Sequence, residues 1–119
     1  MSLNNPGLIK TFIAATAIPQ YSVVKLAAGD NEVGLATAVT DPLLGVSAEP
    51  AEVKAGQRVD VIFSGITEVR AAESITKGAW LTVHTDGRVK PAGSTDERIG
   101  RALQAAAAGD VLSIEIIKN

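Results

Sequence analysis

Apolar residues recur along the chain in short runs that are separated by glycine, proline and aspartate. The runs cover 9–14, 22–26, 33–39, 43–48, 58–63, 67–71, 79–84 and 111–117. Such a succession of short strands and turn signals is typical of a β-sandwich or barrel of short antiparallel strands. We therefore predict an all-β fold with a single small domain over residues 8–119.

Two of these runs alternate between apolar and polar residues. In the first, Val59, Val61 and Phe63 fall on one face of the strand and charged residues fall on the other. In the second, which covers 110–117, leucine and isoleucine take the alternate positions from Leu112 onward. Because successive side chains of a strand point to opposite faces, each run predicts one face packed on a core and one face turned away from it.

A tight hairpin is predicted where Asp86 and Gly87 interrupt an apolar run. Leu81 and Val83 precede this pair and Val89 follows it. An Asp-Gly pair supplies the positive backbone angle that a tight hairpin turn needs. We therefore expect two antiparallel strands here, joined at Asp86-Gly87.

Trp80, Thr82 and His84 share the face of this hairpin that lies opposite its apolar residues. Trp80 has the size to anchor a partner protein or a sugar ring. A second interpretation is that Trp80 covers the edge of the core, and both stay open. We take the three residues as candidate contacts with a partner.

The stretch 96–109, taken alone, has the features of a helix. Asp96 could cap the helix, the alanines of 105–108 have high helix propensity, and Gly109 could end it. A comparison with an earlier segment of the chain argues against a helix here.

The segment 100–116 repeats the order of residue types found in 45–63. Both contain a glycine, small residues, an alanine-rich connector, Ala-Gly and an alternating strand. The earlier segment includes Pro50, which a long helix does not tolerate. We therefore predict that the later segment forms a strand ending near Gln104, followed by a loop.

The chain begins with residues that favour neither helix nor strand. Asn4, Asn5 and Pro6 are followed by a glycine, and such residues are common in turns and at chain ends. We predict a flexible arm over residues 1–7. Asn4, Asn5 and Pro6 are further candidate partner contacts, because an arm without a place in the core can become ordered on another surface.

Composition and charge narrow the range of partners. Hydrophobic residues make up 46% of the chain but aromatic residues only 3%, so the core is aliphatic and light. The net charge is -2 and the cations are scattered singly, which is unlike a nucleic-acid-binding surface. No stretch approaches the roughly 18 apolar residues that span a bilayer, and the start lacks a signal segment. We therefore expect no nucleic-acid partner, no membrane and no export.

No motif predicts a catalytic, cofactor or metal site. His84 is the single histidine and could pair with Asp86 as an acid and base. However, the end of a hairpin strand is usually exposed to solvent, where nothing holds a base against a substrate. The acidic residues lack metal-site spacing and the glycines do not form a phosphate-binding motif. We therefore predict a non-enzymatic protein without cofactors, and the absence of cysteine excludes disulfides.

Short motifs in a fixed order cover most of the chain. They lie at 5–7, 17–19, 22–25, 44–47, 55–61, 65–69, 75–79 and 99–110, and the last reads IGRALQAAAAGD. In this order they resemble capsid decoration (cement) proteins of tailed bacteriophages.

The resemblance implies a structural virion protein that binds the outer surface of an assembled capsid and stabilises it. Its partners would be the major capsid protein and further copies of itself, with a homotrimer preferred and a dimer second. It would be made in the cytoplasm of the host bacterium. The resemblance transfers no catalytic motif and no fixed interface residues.

Three other functions stay open at this point. The chain could be another phage structural part, such as a tail or fibre domain, because fold alone does not define function. It could also be a carbohydrate-binding module that uses Trp80, or a small hydrolase that uses His84. Detection on purified heads, a glycan array and a pH-activity screen would discriminate them.

Overall fold

Eleven strands and no helix form the part of the chain that the computed structural model describes, which is residues 5–6, 8–49 and 51–117. The strands are β1 (Asn5–Pro6), β2 (Ile9–Ala14), β3 (Val23–Leu26), β4 (Glu32–Leu35), β5 (Leu43–Ser47), β6 (Arg58–Ile62), β7 (Gly65–Arg70), β8 (Trp80–Val83), β9 (Val89–Pro91), β10 (Gly100–Ala102) and β11 (Val111–Ile116). Each predicted run forms a strand, and the predicted all-β fold is confirmed. Among the described residues no helix is suited to crossing a membrane.

Strands β2 to β6 close into a barrel, which we call the first barrel. Its strand order is β2-β4-β3-β5-β6. Its pairs are antiparallel except β2 with β4, which run parallel and align Ile13 with Glu32 and Ala14 with Val33. The sequence predicted antiparallel strands only, because nothing local marks the distant partner of β2. The buried interior consists of Phe12, Ala14, Ile18, Val24, Val33, Val53, Val59 and Val61.

Strands β7 to β11 form a six-stranded sheet together with β1, and we call this sheet the second barrel because a single bridge brings its two ends together. They are ordered β7-β11-β10-β8-β9, with β1 added beside β7. A parallel bridge between Ala71 and Val89 brings β9 back to the end of β7. Its apolar side chains belong to a larger cluster, which includes Val69, Ala71, Ile75, Leu81, Val89, Leu112 and Ile114.

The two barrels are copies of one pattern. β2 pairs with β6 as β7 pairs with β11, and β5 pairs with β6 as β10 pairs with β11. β3 lies between β4 and β5 as β8 lies between β9 and β10. Isolated bridges match as well, between Ile18 and Val53 and between Ile75 and Ala106. The repetition seen in the sequence is therefore part of a complete internal duplication.

Side-chain hydrogen bonds repeat between the barrels. Glu49 Oε2 accepts the N–H of Asp60 at 2.8 Å, and Gln104 Oε1 accepts the N–H of Ser113 at 3.0 Å. Each bond joins the second residue after a short strand to the middle of the next strand. The stretch 96–109 accordingly contains β10 and a loop rather than a helix, as predicted.

The barrels meet at the outer face of the first barrel, which we call the junction. Val23, Val46 and Ile62 lie on neighbouring strands there and are 0%, 0% and 1% exposed. They belong to the apolar cluster of the second barrel rather than to the interior of the first. The N–H of Val23 donates to the carbonyl of Gly87 at 2.9 Å, so the backbone also bonds across the junction.

The prediction that Phe63 shares a core face with Val59 and Val61 is wrong. β6 ends at Ile62, and Phe63 is half-buried beyond it, outside the interior cluster of the first barrel. Ile62 is buried instead, because this end of the strand contacts the interior on one side and the junction on the other. The alternation of apolar and polar residues predicts a single buried face. β6 instead buries Val61 in the first barrel and Ile62 at the junction.

Candidate functional site

The outer face of the second barrel presents apolar and charged side chains side by side. Cross-strand register aligns Trp80 with Arg101, Arg101 with Glu115, and Glu115 with Ile66. Arg101 and Glu115 are exposed, and Trp80 and Ile66 are half-buried. Together with Arg98, these residues form what we call the Trp80 face.

Two guanidinium groups lie close to the indole ring of Trp80. The Cζ atoms of Arg98 and Arg101 lie 4.9 Å and 4.8 Å from the ring centroid, which is within cation–π range. Arg101 Nε also donates to the carbonyl of Gly78 at 3.1 Å. Neither arginine forms an ion pair within the described residues.

Local geometry places Trp80 at the start of β8. The preceding turn uses Gly78 with a φ of 87°, a conformation that side chains disfavour. Hydrogen bonds from Gly78 N–H to Ala102 O and from Ala102 N–H to Ala79 O then set the register with β10. This register brings Arg101 opposite Trp80.

Thr82 is not a surface residue, so its assignment as a partner contact needs correction. Its position in the strand alternates with those of Leu81 and Val83, as predicted, but the residue is 0% exposed. Its hydroxyl has no hydrogen-bond partner within the described part of the chain. The reason for the error is that both faces of β8 are covered at this position, which parity cannot reveal.

His84 lies in a charged network at the tip of the predicted hairpin. Its Nδ1 is 3.2 Å from Asp86 Oδ1, and Arg88 Nε donates to Asp86 Oδ2 at 2.7 Å. Partial burial by itself would raise the pKa of Asp86, but the N–H and guanidinium of Arg88, with His84, outweigh it and lower that pKa. Gly87 has a φ of 84°, as the turn requires. These contacts link residues on both sides of the turn, and the hydroxyl of Thr85 lies 3.3 Å from the same ring nitrogen of His84.

The amino-terminal candidates are described only in part. Asn4 lies outside the described residues. The backbones of Asn5 and Pro6 form β1 and pair with Ile66 and Gly65 of β7. This pairing brings the chain start to the edge of the sheet that carries the Trp80 face.

The described residues contain no group of three or more histidine, aspartate or glutamate residues that could hold a metal ion. The sequence did not predict the roles of Arg98 and Arg101. They follow Trp80 by 18 and 21 residues, and only the pairing of β8 with β10 brings them to its ring. No local signal could have identified them.

Comparison with known proteins decides the family. A family model described as phage cement protein matches residues 4–117, which is nearly the whole chain. The chain belongs to this family. No curated protein matches it.

As a phage cement protein, the chain has a structural, capsid-stabilising role. Its fold resembles the head fiber gp8.5 N base of bacteriophage phi29, with a TM-score of 0.72 and 23% identity over 92% of this chain and 93% of that one. At this identity the likeness shows a shared fold. The family match confirms the resemblance of the short motifs to cement proteins.

Proposed function

We propose that this cement protein binds the outer surface of an assembled phage capsid, contacts the major capsid protein and acts as a homo-oligomer. The family match over residues 4–117 carries the proposal. A trimer is preferred and a dimer is second, because small barrels with open faces and strand edges gain from being covered. Synthesis takes place in the host bacterial cytoplasm, and the virion is the final location.

The chain start is the part that we assign to the capsid. Leu8 and Ile9 are 58% and 51% exposed and directly follow the predicted arm at 1–7. β2 pairs with β6 from Ile9 onward, whereas β4 joins its other side only at Ile13. Within the described residues, the first half of β2 thus has an unpaired edge. An exposed edge beside apolar side chains is a surface on which an extended segment can add a strand.

Oligomerisation makes such a modest contact effective. Specific attachment generally needs an interface of roughly 1,600 Å². When one subunit of an oligomer has docked, the others bind at a high effective concentration. Repetition over many equivalent sites then gives the shell a large total resistance to rupture.

The alternative of a carbohydrate-binding module has weaker support. Such modules stack a sugar on an open aromatic face. Here Arg98 and Arg101 already stack on the ring of Trp80, so a sugar would have to displace a guanidinium group. A tail or fibre domain is separated from the proposal by locating the protein on purified heads.

The test uses isolated phage shells with and without added protein. Electron microscopy should show regular added density on the outer surface, and heat should rupture decorated shells at a higher temperature than bare shells. Binding without any gain in rupture resistance would contradict the cement role.

Truncation tests the assigned contact. Deleting residues 2–7, which also removes the two-residue strand β1, or replacing Leu8→Ser and Ile9→Ser should weaken attachment. Both changes should leave the barrels folded, because strands β2 to β11 remain. Leu103→Ser is a matched control, because Leu103 is also an exposed hydrophobic residue, at 36%, on the second barrel. Attachment that survives both changes at the chain start would place the contact elsewhere.

A further inference from the structure

The outer faces of the two barrels correspond to each other, but within the described residues only one of them is covered. Val23, Val46 and Ile62 of the first barrel occupy the positions that Trp80, Arg101 and Glu115 occupy in the second, since the same strand pairs align them. The first set is buried at the junction, whereas Arg101 and Glu115 are exposed. The Trp80 face of the second barrel therefore corresponds to the junction surface of the first. Within the described residues, no other barrel covers it.

The junction shows what covers such a face. The hairpin between β8 and β9 brings the carbonyl of Gly87 to the N–H of Val23 at 2.9 Å. Gly87 packs so closely on Ser22 and Leu35 that a Cβ atom would collide with Leu35. Val83, at the base of the hairpin, is 1% exposed. The covering element is therefore a hairpin with an apolar base.

The first barrel has the same hairpin, between β3 and β4, and it is open. Leu26 pairs with Val33 as Val83 pairs with Val89, yet Leu26 is 51% exposed. Asn31 precedes Val33 by two residues, as Gly87 precedes Val89.

Backbone geometry confirms that the tips of the two hairpins correspond. Asn31 has a φ of 58° and Gly87 a φ of 84°. One open hairpin thus lies on the first barrel and one open face lies on the second.

We propose that a second copy of the chain docks head to tail, with its β3–β4 hairpin on the Trp80 face. The proposal rests on the homo-oligomer proposed above and specifies its interface. The N–H of Trp80, which corresponds to the bonded N–H of Val23, makes no bond of that kind within the described residues. In the head-to-tail contact it faces the carbonyl of Asn31, which accepts the N–H of Ile13 at 2.7 Å and has a second lone pair for this bond. Contacts of this type close into rings when the rotation between subunits permits.

The charges of the two surfaces are complementary. The hairpin carries Asp30 and Glu32, and the Trp80 face carries Arg98 and Arg101 beside a single acid, Glu115. None of these five residues is in an ion pair within the described residues. Complementary charges across an interface steer association and select the partner. Trp80 supplies a large aromatic side chain of the kind that dominates binding energy. The internal junction has aliphatic residues at the positions of Trp80, Arg101 and Glu115. The charged β3–β4 hairpin therefore favours the Trp80 face, and the β8–β9 hairpin favours the aliphatic junction.

Charge reversal tests the contact. Arg101→Glu and Asp30→Arg should each raise the dissociation constant of the oligomer about tenfold or more, and the double variant should recover most of the loss. Lys54→Glu is the matched control, because Lys54 is exposed and belongs to neither surface. Analytical ultracentrifugation at several protein concentrations measures the constants. Single variants that associate like the unaltered protein would overturn the proposal.

A cross-link tests the same contact by distance. Trp80→Cys and Asn31→Cys place two thiols where the backbones of Val23 and Gly87 are hydrogen-bonded, within the usual range for a disulfide. The chain has no cysteine of its own, so mild oxidation should give covalent oligomers of the double variant only. No cross-link either in solution or on shells would overturn the interface.

Experiments can contradict the proposed capsid binding and the proposed head-to-tail interface independently of each other. Co-sedimentation of the unaltered protein with shells measures capsid binding alone. Binding to shells without the cross-link, and without any effect of charge reversal, contradicts the interface and leaves the cement function standing. Oligomers with the expected cross-link that do not sediment with shells contradict the proposed capsid binding and support the interface.

Discussion

Val23 and Trp80 occupy equivalent positions in the two barrels and have opposite surroundings. Val23 is 0% exposed and its N–H bonds to Gly87 of the other barrel, whereas the ring of Trp80 is half-buried beneath two arginines. The backbone of the duplicated unit is thus used twice with different side chains. One copy of the face holds the chain together, and the other is the face on which we propose that a second copy docks.

Ile62 should contribute more to stability than Phe63 despite its smaller side chain. Ile62→Ala should lower the free energy of unfolding by about 2 to 5 kcal/mol, because it leaves a cavity at the junction. Phe63→Ala should cost clearly less, since Phe63 is only half-buried. Urea unfolding of both variants measures the difference. A larger loss from Phe63→Ala would show that the alternation in the sequence described the core correctly after all.

Thr82→Val should stabilise the protein by about 1 kcal/mol. The substitution keeps the shape of the side chain and removes a buried hydroxyl that lacks a hydrogen-bond partner within the described residues. Thr82→Ser is the control, because it keeps the hydroxyl and removes a methyl group, and it should destabilise. Thermal unfolding ranks the three proteins, and a loss of stability in Thr82→Val would indicate that the hydroxyl is bonded.

Gly45→Ala and Gly100→Ala should destabilise the protein to a similar extent, about 1 to 3 kcal/mol each. A Cβ atom at these positions would collide with the carbonyl of Ile62 or of Glu115, respectively. Gly34→Ala is the control, since its Cβ would lie at an ordinary 3.6 Å from Thr16 Oγ1. Unfolding in urea compares the three variants. If only one of the first two were destabilising, the barrels would not be equivalent at this position.

Asp41 should make stability depend on pH. Its Oδ2 accepts the N–H groups of Thr37 and Ala38, both at 3.0 Å, and lies 3.6 Å from Lys25 Nζ. Burial by itself raises the pKa of Asp41, but these contacts outweigh it and lower that pKa. A carboxyl whose pKa is lower in the folded state stabilises that state above the unfolded pKa. This stabilisation is lost as the pH falls through the folded pKa.

Asp41→Asn should therefore be less stable than the unaltered protein at pH 7, and the difference should shrink below about pH 4. Urea unfolding at several pH values between 7 and 3 measures it. Glu73→Gln, at an exposed position, controls for the loss of one negative charge. A difference that stays constant over this range would mean that the Asp41 carboxylate is not the cause.

Local patterns predicted the strands well because each strand carries its own signals. β2 was predicted with the observed bounds, 9–14, and the Asp86-Gly87 turn forms the expected hairpin. The segment 96–109 contains the predicted strand and loop, since the similarity to 45–63 outweighed helix propensity. The partner contacts were less predictable: Thr82 is buried, and the arginines beside Trp80 are distant in sequence.

The sequence by itself determined the all-β class, the strand positions and the turns, because these depend on neighbouring residues and on the period of two along a strand. It also held the signature of the duplication in the repeated order of residue types. Only the tertiary structure decided that Val61 and Ile62 serve different cores, that Arg98 and Arg101 lie beside the ring of Trp80, and that Val23 is covered where Trp80 is not. These facts depend on the register between distant strands and on how one barrel packs against the other, which no local pattern encodes.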